Sequence, residues 1–218
     1  MIELVVKTSP LVSGGWIAVQ EQAPGTRIPA FCPNRHMNGD ETFCIGFNSQ
    51  TYVTNQNRAH VWWGLLKEFL LLQRYADKTG RWPPHKELSH GLVAGTHHMA
   101  AKAAAEVLGI GDEYNNMLMG QEAWFSSGEF KIDEDNTLQA ARPRPCPVTS
   151  CTSEEGVVDY RLCPHVELAT KLVRHEHLRR KADHDFWLGC VDEPCCGTMV
   201  TCPLPELKTQ QEKAGLVA

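Results

Sequence analysis

The sequence predicts an α+β protein: an antiparallel meander packed on helices, followed by a small cysteine-rich module that binds zinc. Three observations carry that expectation. The opening third alternates short apolar segments with Gly- and Pro-containing turns. An apolar repeat of three and four residues sets in at Arg58, and seven of the nine cysteines fall between Cys146 and Cys202. A chain of 218 residues, 42% of them hydrophobic, is long enough for one substantial core and a smaller appendage. Its net charge of −5 argues against a nucleic-acid partner, whose phosphates select basic surfaces.

The strands come first. IELVVK, GGWIAVQEQ and TRIPAFC are apolar, β-prone segments separated by Ser-Gly-Gly and Ala-Pro-Gly-Thr. CIGF follows the Gly39-Asp40 turn as a further strand, and residues 48–57 form a polar loop. From Arg58, Trp62, Leu65, Leu66, Phe69, Leu72 and Ala76 line one helical face and Lys67, Glu68, Arg74 and Lys78 the other, until Gly80 stops the helix. A second helix runs from a Thr96 cap through an alanine-rich stretch to Gly109. Residues 110–141 accommodate one short helix and a hairpin. The alternating prolines of RPRPCP exclude a helix interior and a central strand. They divide the chain into an N-terminal domain, residues 1–141, and the cysteine- and histidine-rich module, residues 142–218. That module holds one helix, from Val166 to about His184. No apolar run approaches the roughly 20 residues that span a bilayer. The start MIELVVKTSP lacks the basic-then-apolar layout of a secretory signal, so the expected location is the cytoplasm, with no membrane partner.

Within FCPNRHMNGDETFCIGF, residues 31–47, a thiol stands between Phe43 and Ile45 directly after a polar turn. Cysteine is among the most buried residue types, so Cys44 fits a core position. The polar approach fits a thiol that reacts. Cys32, on the preceding segment, is a second thiol candidate, either a relay or resolving partner for Cys44 or a buried structural residue. Trp62 and Trp63 are adjacent on a helix, so one faces the core and the other is a docking anchor for a partner.

His36-Met37-Asn38, the Gly-containing turn and Phe43-Cys44-Ile45 together resemble the His-Pro-Asn tripeptide and catalytic cysteine of ubiquitin-conjugating (UBC-like) enzymes. The longer string, followed by a Trp-Trp helix, is similar to divergent bacterial members of that family from anti-phage (CBASS-type) operons. Met37 replaces the proline and only 43 residues precede Cys44, so the resemblance implies a trimmed UBC-like fold. It implies that Cys44 forms a thioester with the C-terminus of a partner protein, a cGAS-like nucleotidyltransferase, and passes it to an amine in anti-phage defence. A thiol of ordinary pKa near ~8.5 is both a good nucleophile and a good leaving group for this purpose. By the same resemblance Asn38 stabilises the tetrahedral oxyanion, a donor worth roughly 3 to 4 kcal/mol in a hydrolase, and His36 braces the turn. Asp40 orients or deprotonates the amine, at a position that also suits a solvated turn residue.

In the module, an odd cysteine total without an export signal favours metal over disulfides. A segment poor in apolar residues gains folding energy from a tetrahedral zinc site. The first expected ligand set is Cys146, Cys151, Cys163 and His165; the second is Cys190, Cys195, Cys196 and Cys202. His165-Val166-Glu167 and Pro194-Cys195 begin a zinc-deaminase signature, but Thr198 stands where its last cysteine belongs. His175-Glu176-His177 lacks zinc-peptidase spacing. These histidines, His97-His98 and the basic run from Arg174 to Lys181 are expected on solvated surfaces. Two other readings stay open: a non-catalytic zinc-stabilised adaptor on the same scaffold, and a thiol redox protein cycling Cys32 with Cys44.

Overall fold

A computed structural model describes residues 2–9, 16–45, 53–83, 86, 89–135, 137–140, 148 and 163–215. The chain folds into two compact units. The first joins Met1–Lys86 to Phe186–Ala218, and the second is Glu87–Asp185. The fold is α+β, as expected, with a small antiparallel sheet and helices.

In the first unit, β1 (Leu4–Ser9) pairs antiparallel with β2 (Trp16–Glu21), Val6 opposite Val19. The expected third strand at residues 26–32 does not form. The Glu21 carboxylate, itself only 5% exposed, accepts the backbone N–H groups of Arg27 (3.1 Å) and Ile28 (3.3 Å). Those donors are satisfied by a side chain, and Pro29 has no N–H to offer a ladder. The chain instead enters a single 3-10 turn, Pro33–Arg35. The expected strand from Cys44 likewise reduces, among the described residues, to one isolated bridge between Met37 and Phe43. Residues 46–52 lie outside the described residues.

Helix α1 (Gln56–Thr79) starts where the Asn55 side chain accepts the Arg58 N–H and ends at Gly80, whose φ of 64° is the left-handed conformation glycine adopts without strain. Trp62, Leu66, Phe69, Gln73 and Ala76 form its buried face. They meet Val19, Ile28, Cys32, Met37, Phe43, Ile45 and Trp82, with Met199 from near the C-terminus. The late chain also closes α1, because the Val200 N–H donates to the Gly80 carbonyl at 2.8 Å. Helix α5 (Leu204–Gly215) completes this unit.

The second unit holds α2 (Leu92–Val107), α3 (Gly111–Leu118), the hairpin β3 (Phe130–Ile132) with β4 (Leu138–Ala140), and α4 (Val166–Gly189) as far as Asp185. The short helix and hairpin expected between 110 and 141 are present. Helix α2 begins four residues before the expected Thr96 cap. Thr96 instead donates its hydroxyl to the Leu92 carbonyl inside the helix, the alternative open to a helical threonine. Ala101, Ala104 and Ala105 share a core with Tyr114, Phe125, Leu138, Leu172 and Val173. No helix among the described residues is long and apolar enough to cross a membrane.

Candidate functional site

The segment around Cys44 is a hairpin fastened at several points. Pro33 starts the 3-10 turn, and His36 ends it in the left-handed region (φ 53°), donating its N–H to the Pro33 carbonyl. The chain then reverses through Asn38-Gly39-Asp40-Glu41. The Asn38 N–H donates to the Thr42 carbonyl (2.8 Å) and the Glu41 N–H to the Asn38 carbonyl (3.1 Å). Glu41 sits at φ 67°, the left-handed position that closes a three-residue hairpin loop and is commonly glycine. Asp40 Oδ1 accepts from the Thr42 hydroxyl (2.6 Å) and backbone N–H (3.2 Å), and the Asn38 amide donates to the same hydroxyl at 2.9 Å. Phe43 then donates its N–H to the Val19 carbonyl, hanging the hairpin on β2, and Cys44 donates its own to the His36 carbonyl, both at 2.8 Å.

Strand alternation decides which groups are reachable. Phe43 and Ile45 are 4% and 8% exposed, with Phe43 stacked on Phe69 at 4.9 Å, whereas Cys44 between them is half-buried. His36 is buried against the Trp82 ring, centroids 4.9 Å apart, while Asn38 and Asp40 are exposed on the turn. The two tryptophans separate as adjacency requires. Trp62 is in the core, and Trp63 is 56% exposed beside a groove of about 410 Å³ with Leu4, Leu66, Leu70 and Leu71. As a partner-binding residue Trp62 is therefore corrected to a core residue.

Behind the hairpin lies a polar knot that sequence reading missed. The Arg35 side chain is buried and donates to Gln73 Oε1 (2.7 Å), the Gln73 carbonyl (3.3 Å) and Asp77 (2.6 Å), while Gln73 Nε2 donates back to the Arg35 carbonyl (2.6 Å). Gln73 lies four residues after Phe69 and three before Ala76, on the face of α1 that is buried, a helical spacing that is the one sequence signal for it. Cys32, 1% exposed, meets Cys196 with their sulfurs 2.8 Å apart; Cys195 and Cys202 lie 3.7 Å apart. The hydrogen bond from Cys32 is the main cause holding the Cys196 thiol down, to about 5, with Thr198 and the Arg35 charge assisting. The same bond, with burial, pushes Cys32 up.

These pairings bear on the expected zinc sets. Among the described residues no three His, Cys, Asp or Glu side chains form a group able to hold one metal ion. Of the second set, Cys202 lies within electrostatic reach of both Cys195 and Cys196. Cys196 turns to Cys32, Cys195 to Cys202, and Cys190 ends α4 with its thiol raised chiefly by burial and then by Glu193. In the first set, Cys163 Sγ and His165 Nδ1 are 3.4 Å apart at the start of α4, two donors of the right chemistry. Cys146 and Cys151 lie outside the described residues.

The second unit contains the other polar cluster the sequence did not announce. Glu176, 1% exposed, accepts both Arg179 Nε and Nη2 at 2.8 Å and Arg180 Nε at 2.7 Å. His98 is buried against the Tyr114 hydroxyl (3.2 Å), and burial, with the Arg179 charge second, lowers its pKa to about 4. His97 and His175 meet through their Nδ1 atoms at 3.0 Å. The expectation of solvated histidines and a solvated basic face is thus corrected for His98 and Arg179. An i,i+3 Glu176–Arg179 pair is common on exposed helices, and burial of this one depends on what α2 and α3 bring to it.

Two family models match the chain. Residues 5–84 match a prokaryotic E2 domain, and residues 89–204, more than half of the 218, match a cysteine-rich domain C-terminal to an E2 domain. No curated protein matches significantly, and no solved structure does.

Proposed function

We propose, for a chain that belongs to the family whose cysteine-rich domain lies C-terminal to an E2 domain, that Cys44 is the acyl carrier of a bacterial E2-like conjugating enzyme. The observation that carries this reading is the half-buried thiol between two core residues, inside the segment matched by a prokaryotic E2 domain. In the first step the Cys44 thiolate attacks an activated C-terminal carbonyl of the partner, forming the C–S bond as the bond to the activating group breaks. In the second an amine attacks that carbonyl, a C–N bond forms, the thiolate leaves, and the amine proton passes to a base. The Asn38 amide is already turned to the hydroxyl of Thr42, two residues before Cys44. From there it donates to the oxyanion. His36, wedged on Trp82, holds the turn, and the exposed Asp40 receives the incoming amine. The resemblance to anti-phage family members makes the partner a cGAS-like nucleotidyltransferase, and Trp63 with its groove is the surface on which it docks.

Non-reducing mass mapping of the chain purified from cells making the partner tests this. Wild type carries an adduct on Cys44 released by thiols, Cys44→Ser a thiol-resistant ester, and Cys44→Ala none. Asn38→Ala forms the thioester but discharges it to amines about 100-fold more slowly, and Trp63→Ala slows adduct formation. A Cys44 peptide unmodified in every case would leave an adaptor without chemistry.

Zinc in the cysteine-rich region belongs to the same proposal. Cys163 and His165 supply two ligands, and Cys146 and Cys151 are the sequence's remaining members of that set. Bound zinc would lend this region folding energy. One zinc per chain by elemental analysis, lost in Cys163→Ser, is the expected result; metal-free protein with unchanged folding would remove zinc from the proposal.

A further inference from the structure

The first unit contains a pair of thiols that the conjugation chemistry leaves unused. Cys32 and Cys196 are separated by 164 residues along the chain, yet their sulfurs stand 2.8 Å apart. A disulfide bond, about 2.05 Å long, would need the two sulfurs to approach by less than about 1 Å. Their surroundings differ in a way that sets an order of events. Cys32 is 1% exposed, whereas Cys196 is half-buried and lines a cavity of about 520 Å³ with Arg27, Pro29, Arg35, Asp77 and Thr198. On the cavity side, the Thr198 hydroxyl lies 3.1 Å from the Cys196 sulfur and 3.5 Å from an Arg35 guanidinium nitrogen. A small oxidant entering the cavity meets the Cys195 and Cys196 thiols that line it, and of these Cys196 has the Thr198 hydroxyl beside it and Cys32, 1% exposed, behind it.

We propose that Cys196 and Cys32 form a reversible dithiol–disulfide pair, with Cys196 the site attacked by hydroperoxides and Cys32 the resolving thiol. The Cys196 sulfur attacks the terminal peroxide oxygen. An S–O bond forms, the O–O bond breaks, and the departing oxygen takes a proton to leave as water or alcohol, giving Cys196 sulfenic acid. The Cys32 sulfur then attacks that sulfur. The S–S bond forms, the S–O bond breaks, and hydroxide leaves with the Cys32 proton as water. Two thiols lose two electrons in total and one peroxide is reduced by two. A dithiol reductant reverses the reaction. The product ties the segment carrying Met199 and Val200 covalently to the one leading into the Cys44 hairpin.

The test uses the full-length Cys44→Ser chain, so that failure here and failure of the conjugation reading are separate results. Titration with hydrogen peroxide is expected to remove two thiols per chain. Non-reducing peptide maps should join the Cys32 peptide to the Cys196 peptide, and dithiothreitol should restore both. Cys32→Ser should stop at a Cys196 sulfenic acid trapped by dimedone, and Cys196→Ser should leave Cys32 reduced. Should the buried Cys32→Ser change prevent folding, the parent map and the Cys196→Ser variant decide the matter. Cys196 unoxidised by excess peroxide would overturn the proposal. So would Cys196 accumulating over-oxidised while Cys32 stays reduced, or a bound metal that must be chelated before either thiol reacts.

Discussion

Cys44 owes its setting to its neighbours more than to itself. Phe43 and Ile45 are drawn into the core, and in an extended backbone the residue between them must turn the other way. That much was legible from FCI following a polar turn. Glu21 was not. At the end of β2 it reads as a solvent-facing charge, but its carboxylate is spent on the Arg27 and Ile28 N–H groups, partners fixed by the path of an irregular loop that no spacing rule anticipates. Glu21→Ala should therefore destabilise the first unit by about 2 kcal/mol, the scale for leaving buried donors unmet. Glu21→Gln, which keeps an accepting oxygen, should recover most of it. Urea unfolding of the two variants is the measurement, and equal stabilities would show the carboxylate to be dispensable.

At the level of elements, helices were legible wherever their stop signals are local. Gly80 ends α1 at the expected place, and the periodicity before it places Trp62 inside and Trp63 outside. The start of α2 was misplaced because Thr96 satisfies its hydroxyl inside a helix as well as at a cap. Depth of burial between helices was illegible, since it depends on three elements at once. His98 on α2 faces Tyr114 of α3 and Glu176 and Arg179 of α4, with Lys102 on its own helix. Burial chiefly lowers its pKa from 6.5 to about 4. The folded state then binds fewer protons than the unfolded one between those values. Stability is complete above about pH 6.5 and is lost as pH falls toward 4, by roughly 3 kcal/mol. Unfolding free energies at pH 7.5 and 4.5 should show that loss, and in His98→Gln this contribution should disappear. The same slope in both proteins would assign the acid sensitivity elsewhere.

Across the whole molecule, composition located the cysteine-rich character of the later chain, and the matched families agree that such a domain follows the E2 segment. The return of residues 186–215 to the first unit could not be read in this way, because it rests on pairings between distant positions: Cys196 with Cys32, Val200 with Gly80, Met199 with the core around Phe69. Met199→Ala, at a site 6% exposed, is expected to cost about 2 to 4 kcal/mol. Its effect should surface as faster amide exchange in α1, with α2 and α3 unchanged. Exchange that quickens only in the second unit would contradict this packing. The hydrogen bond between Val200 and Gly80 also has a consequence for synthesis. A ribosome releases residues 87–185 before the stretch that closes the Cys44-bearing unit, so the part of the polypeptide made first is the part finished last, and a message cut short before that stretch would yield a hairpin with no completed fold around it.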